Sequence, residues 1–235
     1  MTYKIDVAFR QEDACTDGYG AAAVIDTLRA TTTMTVLLER GAIAVRPVAE
    51  LEEAYALRSR DDDLLLGGER HNRPPEGFDG GNSPYDWPSE RVYGRRVAFT
   101  TTNGTAAIER VKAVPRLILA ALINADAAGR YLLELERPAL LVASGADHRA
   151  SLEDVLAAGA VARVWPRQRR TDAAEMAVMV FESCAGRLGE AVRAADHGQD
   201  LIKLGLDDDL AFAAELNSSR VVPVLCRDGW LRAAD

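Results

Sequence analysis

Short β-forming runs alternate with helical stretches along nearly the whole chain, and this alternation restricts it to an α/β layered fold. Strands are predicted at residues 4–9, 22–26, 42–46, 64–66, 96–100, 117–120, 140–143 and 221–225. Helices fill the intervals. Leu51, Ala54, Tyr55 and Leu57 share one helical face, as do Val155, Ala158, Val161 and Ala162. Ser151 places a hydroxyl at the start of the latter helix, three residues ahead of Asp154, in a variant of the capping box. A central mixed, largely parallel sheet follows from this order. In such sheets ligands bind beyond the carboxyl ends of the strands.

One segment breaks the alternation. Residues 67–88 carry Gly67, Gly68, Gly77, Gly80, Gly81, Pro74, Pro75, Pro84 and Pro88, so they read as a long irregular loop. Loops of that length within a compact domain are functional or disordered. Phe78, Tyr85, Trp87 and the Glu69-Arg70 pair argue for order. No linker composition occurs elsewhere, and residues 1–235 are expected to form a single domain with an active-site loop at 67–88.

Two predicted strands run out into small polar residues that could open a helix. The first exit is Asp26-Thr27-Leu28-Arg29-Ala30-Thr31-Thr32-Thr33, and the second is Thr100-Thr101-Thr102-Asn103-Gly104-Thr105. Free backbone N–H groups at helix starts bind anions, and hydroxyls with an Arg fork suit phosphate or sulfonate oxygens. Helix caps and half-buried strand residues are the competing explanation for either threonine cluster alone. Two such exits in one chain favour an anion site. The loop adds Asn82 and Ser83 and the carboxylates Glu69 and Asp79, oxygen ligands that a hard divalent cation accepts. With Asp26 and Asp154 they are more carboxylates than a magnesium site needs, so at least one is expected to be structural. For Asp154 that alternative is capping.

Other chemistries are disfavoured. Asp26-Thr27-Leu28 starts like the nucleophile turn of haloacid-dehalogenase phosphatases, but Leu28 stands where that turn needs a second Asp. Cys226 and Arg232 have the spacing of a cysteine-phosphatase cradle without a helix to follow them. His71, His148 and His197 are isolated, although His197 at a turn could titrate near neutrality as a proton donor. The triplets Asp61–Asp63 and Asp207–Asp209 are expected to be solvated charges beside helices. They also account for most of the excess of 36 Asp+Glu over 28 Lys+Arg, a net charge of −8 that argues against nucleic acid as a partner. Cys15, Cys184 and Cys226 form no CxxC pair, so reduced thiols and a cytoplasmic location are expected. The chain start runs directly into a strand, and no apolar stretch approaches the roughly 20 residues of a membrane span.

Taken in order, Asp26–Thr33, Gly67-Gly68-Glu69-Arg70, residues 77–84, Thr101–Thr105 and Leu152-Glu153-Asp154 with Ala158-Gly159 resemble the 2-phosphosulfolactate phosphatase family. His197-Gly198, Leu201, Gly205, Asp209 and Val222-Pro223-Val224 resemble its C-terminal segment, so the likeness covers nearly the whole chain. Two places depart from the family pattern. Ala143-Ser144-Gly145 replaces a Cys-Ala-Gly turn, which removes any thiol there, and Gln199-Asp200 replaces basic residues. The resemblance implies a three-layer α/β/α fold and Mg²⁺-dependent removal of phosphate from 2-phospho-3-sulfolactate, a step toward coenzyme M. On that reading Asp26 with Glu69 or Asp79 holds the metal. Arg29 is catalytic, stabilising charge on the phosphoryl oxygens, and an Asp attacks directly or activates a water. Arg70, Asn82, Ser83 and the turns Thr31-Thr32-Thr33 and Thr101-Thr102-Asn103-Gly104-Thr105 hold substrate, with Asp154 or His197 as the acid for the leaving group. A binding protein for a phosphorylated or sulfonated metabolite, and a phosphatase of the same scaffold with another small phosphorylated acid, are the alternatives. A homodimer is expected.

Overall fold

The computed structural model describes residues 3–234. In chain order the elements are β1 (Ile5–Ala8), β2 (Ala21–Ile25), α1 (Ala30–Glu39), β3 (Ala44–Pro47), α2 (Leu51–Arg58), β4 (Leu65–Gly68), α3 (Ser89–Val92), β5 (Arg96–Thr100), α4 (Gly104–Val111), β6 (Leu117–Ala120) and α5 (Ala125–Glu134). They continue with β7 (Ala139–Ala143), α6 (Leu152–Ala162), α7 (Asp172–Cys184), α8 (Leu188–Ala194), α9 (Asp196–Lys203), α10 (Asp207–Ala213), β8 (Pro223–Leu225) and β9 (Leu231–Ala233). Each of the eight predicted strands is present, within a few residues of its expected bounds.

The sheet order is β1-β7-β2-β6-β8-β9-β3-β5-β4. It consists of two parallel blocks, β1-β7-β2-β6 and β3-β5-β4, joined through the antiparallel β8-β9 hairpin. Helices cover both faces, giving the expected three-layer α/β/α fold. Strands β2 (AAAVI) and β7 (ALLVA) are buried from end to end, and the unbroken apolar runs are what two covered faces require.

Helix α1 explains how the two blocks share one site. It packs against β3 from one block, β6 from the other, and the β8-β9 hairpin between them. Its residues Ala30 to Leu38 are all buried, which the sequence ATTTMTVLLE permits because its threonine hydroxyls return to backbone carbonyls. Helix α6 is buried from Glu153 to Ala162, with α7 packed across it.

The 67–88 loop is ordered by buried anchors. The Trp87 ring is fully buried, lies 6.4 Å from Phe99, and donates Nε1–H to Gly81 O at 3.0 Å. Burying one such ring contributes about 4 kcal/mol of apolar stabilisation. Asp86 accepts Gly81 N–H at 2.8 Å, and Arg40 reaches the carbonyls of Pro84 and Trp87. The thiols of Cys15, Cys184 and Cys226 are free. Among the described residues no helix is long and apolar enough to cross a membrane.

Candidate active site

A cleft of about 720 Å³ opens at the carboxyl ends of β2, β4, β5 and β7, the place the sheet topology favours for ligands. Asp26, Glu69 and Glu153 line it with Asn82, Thr101, Thr102, Asn103 and His197. At its rim are two short reversals with left-handed backbone, His71-Asn72 and Asp147-His148, closed by bridges between Arg70 and Arg73 and between Ala146 and Arg149. His71 and Arg149 line that rim.

Asp26 follows β2 and is 7% exposed. Its Oδ1 accepts the Ala30 N–H at 3.2 Å, in the first turn of α1. Burial pushes its carboxyl up to about 6, the nearby His197 counteracts this, and Glu69 and Glu153 add to the rise. Gly104, at the start of α4, is required here by proximity: a Cβ at that position would lie 2.6 Å from Ala30 Cβ and 2.8 Å from Asp26 Oδ2. The two strand exits recognised in the sequence therefore meet across Gly104.

Glu69 stands just beyond Gly68, whose φ of +124° and contact with the Thr100 carbonyl admit no side chain. Both Glu69 oxygens accept bonds. Oε1 takes Thr102 N–H at 2.8 Å and Thr102 Oγ1–H at 3.0 Å, and Oε2 takes Asn72 N–H at 2.8 Å. Glu153 is different. It is 2% exposed, and its Oε2 has no partner among the described residues. Its Oε1 lies 3.7 Å from His197 Nδ1. Burial works against charging His197, but Glu153 and then Asp26 outweigh it, so the imidazole is raised above its ordinary value.

The remaining expected residues divide clearly. The one Thr31 hydroxyl proton is shared between the carbonyls of Asp26 and Ala120, both within hydrogen-bond reach, while Thr32 donates to Thr27, Thr33 to Asn82, and Thr105 to Thr101, so these four hydroxyls shape the turns. Arg70 donates to the carbonyls of Glu69 and Ala49 and to Thr100 Oγ1 and does not line the cleft. Asp79 also stays outside it, paired with Arg58 and accepting Leu66 N–H at 2.7 Å. Asp154 accepts Thr27 N–H and Gly145 N–H, and burial with the charges of Glu153 and Asp26 holds its carboxyl well above the ordinary range. Ser83 donates to Asp209.

Arg29 is 3% exposed and pairs through Nη1 with Asp209 Oδ2 at 2.6 Å, while Nε and Nη2 have no partner among the described residues. Arg29 does not itself line the cleft, but the preceding Leu28 does, and the guanidinium charge opposes protonation of His197. The structure also corrects the expectation for Asp209, which is not a solvated member of an acidic triplet but is 2% exposed. Sequence reasoning also missed Glu153, for which the only signal was its position between Leu152 and Asp154 at a helix start.

Among the described residues no group of three or more His, Cys, Asp and Glu side chains is arranged to hold a metal on its own. The oxygen donors do fit a magnesium ion that keeps water and substrate oxygens, which needs only one or two protein carboxylates. Asp26 and the unpartnered Glu153 Oε2 are the groups that would hold it, beside Glu69.

The sequence profile of 2-phosphosulpholactate phosphatase matches residues 8–228. A Symbiobacterium thermophilum protein named "probable 2-phosphosulfolactate phosphatase" is 41% identical over 209 residues, covering 86% of this chain and 90% of that protein. Proteins with the same name from Deinococcus radiodurans and a Synechococcus species are 41% and 42% identical. The first covers 87% of both chains, and the second covers 90% of this chain and 91% of its own.

Proposed function

The chain belongs to the 2-phosphosulfolactate phosphatase family, and from that premise we propose that this phosphatase hydrolyses 2-phospho-3-sulfolactate, with water supplying the new oxygen on phosphorus, to 3-sulfolactate and phosphate with the aid of a magnesium ion. One observation carries the site assignment. Arg29, a buried guanidinium with unbonded N–H groups, follows Leu28 of the cleft lining at the same strand exit as Asp26, and Asn103 at the α4 N-terminus lines the cleft as well. Phosphoryl transfer depends on positioning and electrostatics. Arg29 supplies donors for the phosphoryl oxygens, and the start of α4 at Asn103-Gly104 supplies backbone N–H groups.

The cleft floor carries the carboxylates of Asp26, Glu69 and Glu153, which repel a phosphate dianion. When bound, magnesium would offset that charge and polarise the phosphoryl oxygens. Asp26 and Glu153 are the residues proposed to hold it. His197, kept protonated by Glu153, donates a proton to the departing alkoxide, whose own pKa is too high for it to leave readily. Arg149 and His71 at the rim meet the remaining anionic groups of the substrate. The test is phosphate release from a panel of phosphorylated hydroxy acids with magnesium supplied and then chelated. Turnover of 2-phospho-3-sulfolactate above all others supports the proposal, whereas no release from any of them sinks it and favours a binding protein.

A further inference from the structure

Arg29, Asp209 and Ser83 join three segments that are remote in sequence: the exit of β2, the first turn of α10 and the 67–88 loop. Arg29 Nη1–H donates to Asp209 Oδ2 at 2.6 Å, and Ser83 Oγ–H donates to Asp209 Oδ1 at 2.6 Å. Both side chains of the ion pair are 3% exposed. The carboxylate is therefore engaged on both oxygens. The guanidinium is not, because Nε and Nη2 are buried without partners among the described residues.

That asymmetry is informative. Buried donors are almost always bonded, and a pair that served packing alone would do as well as two apolar side chains. A second unpartnered group lies next to Ser83: Asn82 lines the cleft, is 7% exposed, and has a buried Oδ1 without a partner among the described residues. The two other acids of the triplet behave differently, since Asp207 pairs with the half-exposed Arg193 and Asp208 faces solvent.

We propose that Asp209 is a positioning residue of the phosphatase. It fixes the guanidinium plane of Arg29 so that Nε and Nη2 meet phosphoryl oxygens, and through Ser83 it holds the loop that presents Asn82. This rests on the phosphatase reading above, and it adds a role for α10; neither α10 nor Arg29 itself lines the cleft, whereas Leu28 and Asn82, the chain neighbours of Arg29 and Ser83, do.

The test compares R29A, D209A, D209N, S83A and R29A/D209A in two measurements: turnover of 2-phospho-3-sulfolactate and affinity for inorganic phosphate by calorimetry. Losing one such donor costs roughly 10²-fold in kcat, so D209A should approach the R29A loss, with kcat falling more than KM. The double variant should be no worse than R29A alone. Guanidinium ion added to the assay should restore part of the activity of R29A, where Asp209 can seat it, and none in R29A/D209A. Additive losses, equal rescue in both variants, or full activity in D209N overturn the proposal. D209N keeps the side-chain volume and an acceptor for Ser83, so it carries the test if D209A does not fold. If the wild type releases no phosphate, the phosphatase reading fails and the phosphate affinities decide: equal, non-additive weakening in R29A and D209A supports positioning, and unchanged affinity in D209A, or no phosphate binding by the wild type, refutes it.

Discussion

Asp154 Oδ1 accepts the backbone N–H of Thr27 at 2.8 Å, tying the first turn of α6 to the exit of β2. Its Oδ2 accepts Gly145 N–H at 3.1 Å, so one buried carboxylate serves two turns. Removing it leaves two buried donors unpaired, at about 1–3 kcal/mol each. Asp154→Ala should therefore lower unfolding stability by roughly 2–5 kcal/mol, read from urea denaturation. A variant as stable as the wild type would show that these bonds are not maintained in solution.

Glu153, the adjacent residue, should behave in a different way. Its charge and that of Asp26 raise the His197 imidazole against the effect of burial. If protonated His197 is the acid, kcat/KM falls as pH rises through that raised value. Glu153→Gln removes one of the two charges, so the alkaline limb of whatever activity remains should move to lower pH. The His197 ring resonance in metal-free protein should move in the same direction. An unmoved His197 resonance in metal-free Glu153→Gln would show that Glu153 does not keep the imidazole charged.

Asp26 gives a stability prediction with a defined sign. Burial raises its carboxyl from 3.8 to about 6 in the folded protein. Stability from this group is greatest below 3.8 and is lost as pH rises through about 6, so the ionised carboxylate costs stability at neutral pH. In metal-free protein Asp26→Asn should gain on the order of 2 kcal/mol at neutral pH. The gain should shrink toward pH 4, and turnover should be abolished. Thermal melts across the pH range read the first effect, and an active Asp26→Asn enzyme would remove Asp26 from the chemistry.

The strand exits were legible in the sequence because an acid or a threonine run after an apolar strand marks the carboxyl end of a parallel sheet, and Asp26 and Thr101–Asn103 do line the cleft. The meeting of those exits was not legible, because it depends on α1 lying between the two parallel blocks. Strand β9 escaped notice because its three residues are held by pairing with β8 rather than by any run of their own. Asp209 looked like its neighbours in an acidic triplet. Which of three consecutive acids turns inward is decided by a partner far away in the chain, here Arg29. The threonine hydroxyls of α1 were readable as anion ligands or as backbone partners, and full burial of the helix gives them to the backbone.

The carboxylates can be sorted by metal response. Asp26 and Glu153 share the cleft with Glu69, and only Glu153 retains a buried oxygen with no partner among the described residues. Asp79 is occupied by Arg58 and Leu66 N–H outside the cleft. A cation binding only the folded state stabilises it in proportion to the logarithm of its concentration over Kd, about 2.7 kcal/mol at a hundredfold excess. Magnesium should therefore raise the melting temperature of the wild type, and chelation should reverse the rise. Asp26→Ala and Glu153→Gln should lose the response, Glu69→Gln should weaken it because its amide can accept from Thr102 or from Asn72 but not from both, and Asp79→Ala should keep it while melting lower at every magnesium concentration. A full magnesium response in Asp26→Ala, or its loss in Asp79→Ala alone, would move the metal from the end of β2 to the 67–88 loop.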